Sequence, residues 1–555
     1  MSTPPRTDTL RPRLPFATGL WAAWVVAFCA FNAILPRDGA FDVLHYHVHN
    51  GWAFAEGRFE TDRAPAELHS FLNPLYQAGA YWLMTHLPGR AVAMTLALPQ
   101  ALTLPALYLF ARALFARLGR PLDPVHGVLV ALLGFSSVLQ LELMGSLRND
   151  PLGALAFILA MWRVLAFRCD RPGWTGLLLA SGFLGMTLGL KLTNVVYVAG
   201  FAVAVAFVDA PLRSRGLAIL MAGLSGFLGV LATGAYWHGY LWLVMGNPVF
   251  PHMNELFQAP AGPDMNFRDV RYLPDSLWEG LWRPIAILFD GQLVDEYQFF
   301  DPRLQLGLVA ALGFVVAGLW RRRAFGFGPV FGAGLGFLTL VAVWIALFSI
   351  KRYALGAWLV GPVLLAGGLL ALLPPGRATW LRVTAGLAVA VSVLMTVSET
   401  AHARRVAWRA LDEPYVWVRA PDSLSSPNPV VIMTGELPTA FTALGLPEEA
   451  TAVSLVPQDW AEPPMRRLFA ETEAFLQATE RPLYVVLVSD VVSADVVVRK
   501  LRERHRLQVE IVGCRRFETA FDGPAENWSL CPVRRIERSL DLRAATPGTW
   551  SLSSR

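Results

Sequence analysis

The chain has 555 residues, of which 54% are hydrophobic and 16% are charged, and its mean hydropathy is +0.44. A chain this long and this apolar is not an ordinary soluble domain, and its composition indicates a membrane protein. The formal net charge of +5 does not indicate nucleic-acid binding. The arginines stand in short clusters between apolar runs, as they do in the cytoplasmic loops of membrane proteins.

Apolar runs long enough to cross a bilayer recur along the first 397 residues. A bilayer core of about 30 Å requires roughly 20 mostly apolar helical residues, and about eleven runs meet this requirement. The first run follows Arg11 and Arg13 as a signal peptide would, but no small-residue cleavage site follows it, so we interpret it as an uncleaved span. The predicted spans are 16–35, 91–115, 126–143, 152–167, 174–190, 192–208, 216–237, 304–320, 325–350, 354–373 and 380–397.

Arginine placement predicts the orientation of these spans, because cytoplasmic loops collect Arg and Lys. With the N terminus inside, every inner loop carries arginine, which favours an odd number of spans in a bacterial-type cytoplasmic membrane and places the region after residue 397 outside. Two long outer segments result, 36–90 and 238–303, and both mix aromatic, acidic and histidine residues. The arginines of the inner loops are Arg11, Arg13, Arg117, Arg120, Arg168, Arg171, Arg213, Arg215, Arg321, Arg322, Arg323 and Arg377.

The densest polar cluster begins the first outer segment and contains Asp42, His45, Tyr46, His47 and His49. In a helix, Asp42, His45 and His49 share one face with Tyr46 beside it, and a carboxylate there can accept a proton from a hydroxyl or hold a cation. The alternative is a membrane-interface helix with a solvated polar face. The three histidines would align as metal ligands only on an extended strand, so a metal site is not favoured.

A short apolar stretch, 73–87, closes the first outer segment. It is rich in Tyr and Trp, and it is too short to cross a bilayer. We expect a helix that lies in the membrane interface.

A second polar cluster contains Glu142, Arg148 and Asp150 at the outer end of the third predicted span. Ionisable groups at membrane depth are costly and usually line a cavity. Asp150 precedes Pro151, so the carboxylate can also cap the next helix, a structural role that is compatible with a catalytic one.

A third cluster consists of cations at outer ends of spans, Lys191 and the run Lys351–Arg352–Tyr353. These positions run against the positive-inside bias. Arginine binds a lipid phosphate with two parallel hydrogen bonds and lysine binds it as a point charge, so both suit an outer phosphate. The alternative is that both side chains snorkel to the interface.

The composition after about residue 400 is that of a small soluble domain, which divides the chain into 1–399 and 400–555. Runs 430–433, 484–488 and 507–512 resemble strands and 494–505 resembles a helix, so we predict an α/β domain. Because this domain is expected in an oxidising compartment, we predict a disulfide between Cys514 and Cys531, with two unrelated buried cysteines as the alternative.

The order of these motifs resembles that of the GT-C superfamily, which includes protein O-mannosyltransferases, oligosaccharyltransferase catalytic subunits and bacterial aminoarabinose transferases. These families carry an acidic residue in a long outer loop after the first span, where this chain has Asp42, followed by Gly57–Arg58. The stretch 73–76, Asn-Pro-Leu-Tyr, is similar to the family's Pro-Pro-Leu segment, with Asn in place of one Pro. Asp150 stands where many members have a second acidic residue, and Arg352–Tyr353 resembles an Arg-Tyr element near the lipid phosphate. The resemblance covers the membrane region to about residue 397.

The resemblance implies an α-helical polytopic fold of GT-C type and transfer of a sugar from a polyprenyl phosphate to a glycan, lipid or protein acceptor on the outer face. It implies Asp42 as general base and Asp150 as a second catalytic acid. Cationic groups would stabilise the leaving phosphate. The residues expected to bind substrate are His45, Tyr46, His47, Arg148, Lys191, Arg352 and Tyr353.

Oligosaccharyltransferase-like members use a divalent metal and carry a Trp-Trp-Asp motif, which this sequence lacks. We therefore expect no cofactor and a monophosphate donor, with a divalent metal as an open alternative. Two other functions stay open, a transporter or flippase of a lipid-linked glycan and a non-catalytic envelope assembly protein. Transporters tend to have paired repeats and broken helices at the midplane, and no such pairing is found here.

Overall fold

The computed structural model describes residues 14–263, 265–320, 328–372, 388–389, 391–392, 404–422, 424, 427–456, 462–489, 491–523 and 527–536. The described chain up to residue 372 is mostly helical. A small β-sheet follows residue 404.

Apolar runs form the helices because a helix satisfies its backbone hydrogen bonds internally, as a lipid environment requires. Aspartates cap two of them: the Asp123 side chain accepts hydrogen bonds from two backbone N–H groups, and that of Asp170 accepts one. The helices are α1 Leu14–Asn32, α2 Val48–Ala55, α3 Leu75–His86, α4 Gly89–Leu96, α5 Leu98–Arg117, α6 Pro124–Phe135, α7 Val138–Glu142, α8 Asp150–Ala166, α9 Arg171–Leu190, α10 Val195–Val205, α11 Leu212–Met245, α12 Asn254–Phe257, α13 Leu277–Ala286, α14 Arg303–Trp320, α15 Pro329–Leu347 and α16 Leu355–Leu372.

Six helices of the described chain are long and apolar enough to cross a membrane, so the chain is a multi-pass membrane protein. Three shorter apolar helices are Thr18–Asn32, Pro124–Phe135 and Leu192–Val205. The eleventh predicted span, 380–397, falls outside the described residues apart from four positions, and the count of eleven stays a prediction. The six helices are Gly89–Arg117, Arg171–Leu190, Leu212–Met245, Arg303–Trp320, Pro329–Leu347 and Lys351–Leu372.

The predicted interface stretch is helical as α3. The predicted strands 430–433 and 484–488 are confirmed, whereas of 507–512 only 507–509 is a strand and a 3₁₀ turn begins at Ile511. The strands are β1 Arg37–Asp38, β2 Arg405–Val406, β3 Val418–Arg419, β4 Val430–Thr434, β5 Thr451–Val456, β6 Leu483–Val488, β7 Leu507–Val509, β8 Arg515–Arg516, β9 Glu518–Thr519 and β10 Trp528–Arg535. Helices α17 Glu462–Ala478 and α18 Val491–His505 connect them.

The central sheet is mixed, with strand order β5-β4-β6-β10-β7, and β8 pairs with β10. Strand β4 runs parallel to β5 and β6, with Val430 opposite both Thr451 and Leu483. Strand β10 is antiparallel to β6 and β7, with Leu530 opposite Val486. Parallel strands need crossover connections, and α17 supplies the one from β5 to β6, which lie on either side of β4. The region is therefore α/β, as predicted.

The sheet region is joined to the first outer segment. Strand β1 pairs antiparallel with β2, and the buried Arg37 forms an ion pair with Glu413 at 2.5 Å. Arg58 donates hydrogen bonds to the carbonyl oxygens of Glu448 and Ala450. The two regions also share one hydrophobic core. They must then lie on the same side of the membrane, which requires an even number of crossings between β1 and β2.

Candidate active site

A cavity of about 510 Å³ lies where the two outer segments, the turn before α16 and the loop after β4 meet. Its wall includes Asp42 from the first outer segment, Asp269 from the second, Arg352 from the turn and Glu436 from the loop. Small-molecule sites commonly measure about 300–1,000 Å³. The cavity is therefore large enough for a ligand of sugar-phosphate size.

The residues after Asp42 form a π-helical turn, Val43–His47, in which the Val48 N–H donates to the carbonyl five residues back. Such turns are wider than an α-helical turn and are frequent at functional sites. The wide turn changes which side chains share a face, so Asp42, His45 and His49 point to different partners. These partners are Arg352, Glu67 and Asn50, respectively.

Asp42 forms an ion pair with Arg352, at 2.6 Å between its Oδ2 and the guanidinium Nη1. Arg352 also donates a hydrogen bond to the Tyr353 hydroxyl, at 3.4 Å. Burial by itself would raise the pKa of Asp42, but the charge of Arg352 and the weaker effects of His47, Arg148 and His69 together outweigh burial and hold the pKa well below its usual range. Asp42 is thus ionised, and Arg352 compensates its negative charge.

Two further cations of the cavity wall have their own carboxylates. Arg148 donates two hydrogen bonds to Asp38 Oδ2, at 3.0 and 3.2 Å, and the Arg148 and Asp38 side chains are only 6% and 2% exposed. Lys191 Nζ donates to Asp150 Oδ1 at 2.7 Å. Asp150 is buried and does not belong to the residues described as lining the cavity, so it reaches the site through Lys191.

Lys351 lies beside Arg352 and contacts Glu142 at 2.8 Å, as well as Asp295. Each of these four cations therefore faces a carboxylate, and a phosphate that approaches one of them must compete with its partner. Arg352 has the most exposed side chain of the four cations, at 22%, and its partner Asp42 is 18% exposed. Of the four, Arg352 is the cation that a phosphate in the cavity can reach at the lowest desolvation cost.

His47 lies on the cavity wall with a fixed hydrogen bond to Gln77, whose amide nitrogen is 2.7 Å from His47 Nδ1. This contact depends on Gly51, because a Cβ there would lie 2.4 Å from the Gln77 carbonyl oxygen. Burial lowers the pKa of His47 to about 3, although the Asp42 charge acts in the opposite direction. Neutral His47 is left with Nε2 unpartnered in the described structure, available to a ligand.

Aromatic rings complete this side of the cavity. The Tyr46 ring stacks on His69 with centroids 4.9 Å apart, and Lys191 Nζ lies 4.9 Å from the centre of the Tyr353 ring. Asn73, which replaces a proline of the GT-C pattern, donates hydrogen bonds to the carbonyl oxygens of Gly189 and Thr233. This asparagine ties the first outer segment to the end of α9 and to the interior of α11.

The sequence did not single out Glu67 and His69, which also line the cavity. His45 Nε2 is 3.9 Å from Glu67 Oε2, and the His45 and His69 rings are 5.4 Å apart. Burial and the neighbouring Glu436 charge raise the pKa of Glu67 to about 8. The Glu-x-His spacing in an outer segment is the sequence signal that could have pointed to this pair.

The structure therefore gathers most predicted site residues around one cavity. Asp150 stands behind Lys191, and Arg148 is held by Asp38. Cys514 and Cys531 lie in the sheet region and are joined by a disulfide. The predicted residues on the cavity wall are Asp42, His45, Tyr46, His47, Arg148, Lys191, Arg352 and Tyr353.

Comparison with solved structures identifies two similar folds, both of ArnT from Cupriavidus metallidurans. In the apo state the TM-score is 0.50 at 14% sequence identity, and bound to undecaprenyl phosphate it is 0.48 at 15% identity. Each match covers 93% of this chain and 98% of the other. No family model and no curated protein matches the sequence. The chain thus has the fold of ArnT, as the sequence resemblance to GT-C proteins predicted.

Proposed function

We propose that this protein is a GT-C-type glycosyltransferase that moves a sugar from a polyprenyl-phosphate donor to a hydroxyl acceptor. One observation carries the proposal, the Arg352–Asp42 ion pair on the wall of a large cavity. It places a phosphate-binding guanidinium 2.6 Å from a carboxylate that can act as a base. The shared fold with ArnT agrees with this function, but the argument rests on the site.

In the proposed reaction, the acceptor hydroxyl gives its proton to Asp42 while its oxygen bonds to the anomeric carbon. The bond from that carbon to the phosphate oxygen breaks, and its electron pair leaves with the polyprenyl phosphate. Arg352 and Lys191 stabilise the charge that develops on the phosphate. Attack opposite the leaving group inverts the anomeric centre.

The ion pair also suggests how the base becomes active. While Arg352 faces Asp42, the pKa of Asp42 is far below neutral, and a base this weak takes up protons poorly. A donor phosphate competes for the same guanidinium with two oxygens. When Arg352 moves toward the phosphate, its positive charge no longer stabilises the ionised form of Asp42. The pKa of Asp42 then rises, so Asp42 becomes a stronger base when the donor is bound.

His47, Tyr46 and Tyr353 complete the proposed substrate site. Neutral His47 can donate a hydrogen bond from Nε2 to a sugar or acceptor oxygen, because Gln77 occupies its other nitrogen. Tyr46 and Tyr353 also line the cavity and can contact a sugar bound there. Arg148 and Asp150 support the site indirectly. Arg148 pairs with Asp38, and Asp150 holds Lys191 in position.

We further propose eleven spans in the cytoplasmic membrane, a cytoplasmic N terminus and a cavity on the outer face, with the boundary of the C-terminal domain near residue 400. Reporter fusions placed after residues 120 and 555 test this topology. A cytoplasmic signal from the second fusion would contradict the assignment of the catalytic face.

The reaction is tested with the purified protein in detergent and a panel of polyprenyl-phosphate sugars, with sugar transfer and polyprenyl-phosphate release as the readouts. We expect release in step with transfer for at least one donor. Movement of intact donor across a liposome membrane, without release of polyprenyl phosphate, would instead support a flippase and contradict the proposal.

A further inference from the structure

His45, Glu67 and His69 form a cluster on the cavity wall that the proposed transfer reaction does not use. Each offers one ligand atom, and the three atoms lie within 4.8 Å of one another. Two imidazoles and one carboxylate are a common ligand set for zinc, often with a fourth position left to water or substrate. In the sequence, His45 stands beside His47 and His49, whereas the fold joins it to the segment around Glu67.

The cluster lacks the hydrogen bonds that normally accompany buried polar groups. In the described structure, His45 Nδ1, Glu67 Oε1 and His69 Nδ1 have no hydrogen-bond partner. His45 and Glu67 are also almost fully buried, at 1% and 3% exposed. Buried polar atoms in folded proteins nearly always have a partner, so each of these three side chains keeps at least one polar atom that its protein neighbours do not engage.

The backbone around Glu67 is arranged to deliver its carboxylate to this place. Glu67 has a φ of 56° and Ala64 a φ of 46°, both in the left-handed region that residues other than glycine seldom adopt. A Cβ at position 435 would lie 1.7 Å from Glu67 Oε1, so only glycine leaves room for the carboxylate. Backbone strain of this kind is often found at functional sites.

We propose that His45, Glu67 and His69 bind one divalent transition metal, with Zn²⁺ as the best-suited ion, and leave a fourth position open to the cavity. Zinc bonds of about 2.1 Å in a tetrahedron place ligand atoms about 3.4 Å apart. The observed 3.9 Å between His45 Nε2 and Glu67 Oε2 closes to that value by a small side-chain movement. This site goes beyond the transfer reaction, and Asp42 is not a ligand.

The metal would also link two regions of the chain. His45 and Glu67 belong to the first outer segment, and the Glu67 carboxylate packs against Gly435 in the loop after β4. Fixing Glu67 therefore stabilises the junction with the sheet region. Metal binding should raise the melting temperature of the whole protein, because an ion that binds only the folded state stabilises it.

The test uses the full-length protein in detergent, stripped with a chelator and then titrated with ZnCl₂ by calorimetry, with metal content measured after dialysis. We expect one zinc per chain and a higher melting temperature. Glu67→Gln and His69→Ala should each weaken zinc binding by about 100-fold or more, since even outer-shell changes cost about 10- to 100-fold. The exposed residues give matched controls, Glu60→Gln and His86→Ala, which should bind zinc like the parent.

A Glu67→Gln protein that binds zinc like the parent would overturn the proposal, as would a stripped parent that takes up none. The carboxylate-to-amide change is nearly isosteric, and melting curves in chelator show whether each variant is folded. If both variants unfold, the visible absorption of the Co²⁺-loaded parent decides, with a four-coordinate spectrum expected and a six-coordinate aqueous spectrum contradicting the site. These readouts need no substrate. A negative zinc result therefore does not contradict the proposed transfer reaction, and a negative transfer assay does not contradict the zinc site.

Discussion

The two sides of the cavity differ in how their charges are compensated. On one side, the ion-pair wall, Arg352 and Lys191 each face a carboxylate at hydrogen-bond distance. On the other, the histidine wall of His45, Glu67 and His69, no cation of the chain stands at hydrogen-bond distance among the described ion pairs, and the shortest contact is 3.9 Å between His45 Nε2 and Glu67 Oε2. On the ion-pair wall, an anion can bind a cation only by displacing its carboxylate. On the histidine wall, nitrogen and oxygen atoms remain that can bind a cation. The two proposals therefore assign different ligands to the two walls, a phosphate to one and a cation to the other.

Removing the carboxylate of the ion-pair wall should have the largest effect. Asp42→Asn keeps the size of the side chain but cannot take the acceptor's proton, so turnover should fall by about 10²- to 10⁴-fold with donor binding retained. The measurement is turnover of a polyprenyl-phosphate sugar by variants with matched melting curves. Asp412→Asn, at an exposed position, is the control. Near-normal turnover of Asp42→Asn would mean that the wall is structural.

Removing the cation of the same pair should weaken donor binding. Arg352→Ala should raise the dissociation constant of the donor by about 10- to 100-fold, the value of a hydrogen bond to a charged group. Arg352→Lys should lose less, because it keeps the charge but not the two-pronged contact. Calorimetric titration with the donor checks both. Equal affinity in all three proteins would favour snorkelling of Arg352 to the membrane interface.

The pH profile tests whether Arg352 controls the base. Arg352 lowers the pKa of Asp42, so the substitution Arg352→Gln, which removes the positive charge, should raise the pKa of Asp42. Activity that needs ionised Asp42 is present above the pKa and lost as the pH falls through it. The acid limb of kcat/KM should therefore move to higher pH, by about 1–3 pH units. An unmoved limb in Arg352→Gln would show that another group titrates.

A smaller effect is expected for the carboxylate behind the wall. Asp150→Asn weakens the 2.7 Å contact that orients Lys191, so the KM for the donor should rise by about three- to tenfold while kcat changes little. Steady-state kinetics with varied donor separates the two constants. A kcat loss as large as that of Asp42→Asn would instead give Asp150 a share of the base role.

The smallest effect on turnover should come from the sheet region. The disulfide between Cys514 and Cys531 closes a short loop with a sequence separation of 17 residues, outside the cavity wall. Replacing both with serine should destabilise the sheet region by about 2–4 kcal/mol and leave kcat unchanged. Thermal unfolding and turnover of the double variant check this. Two free thiols in the parent, found by non-reducing mass spectrometry, would contradict the disulfide.

Much of the fold followed from local pattern. Most apolar runs of span length became helices, although the predicted span 126–143 is divided between α6 and α7. Short β-branched runs such as 430–433 and 484–488 became strands, because burial and periodicity act over a few residues. The phase of the helix after Asp42 did not follow, since a π-helical turn shifts every later side chain. Asp42 and His45 nevertheless both line the cavity, whereas His49, the third residue of the predicted face, is not among the described residues of the cavity wall.

By itself, the sequence determined the class of the protein, its helical and strand segments, and the residue types available for chemistry, Asp42 and Arg352 among them, because these depend on composition and short-range spacing. Only the tertiary structure decided the pairing of charges: it brought Arg352 across 310 positions to Asp42, and placed Lys191 in front of Asp150. It also assembled His45 with Glu67 and His69. Electrostatic pairing and metal coordination depend on distances of a few ångströms between segments far apart in the chain, and those distances are set by packing.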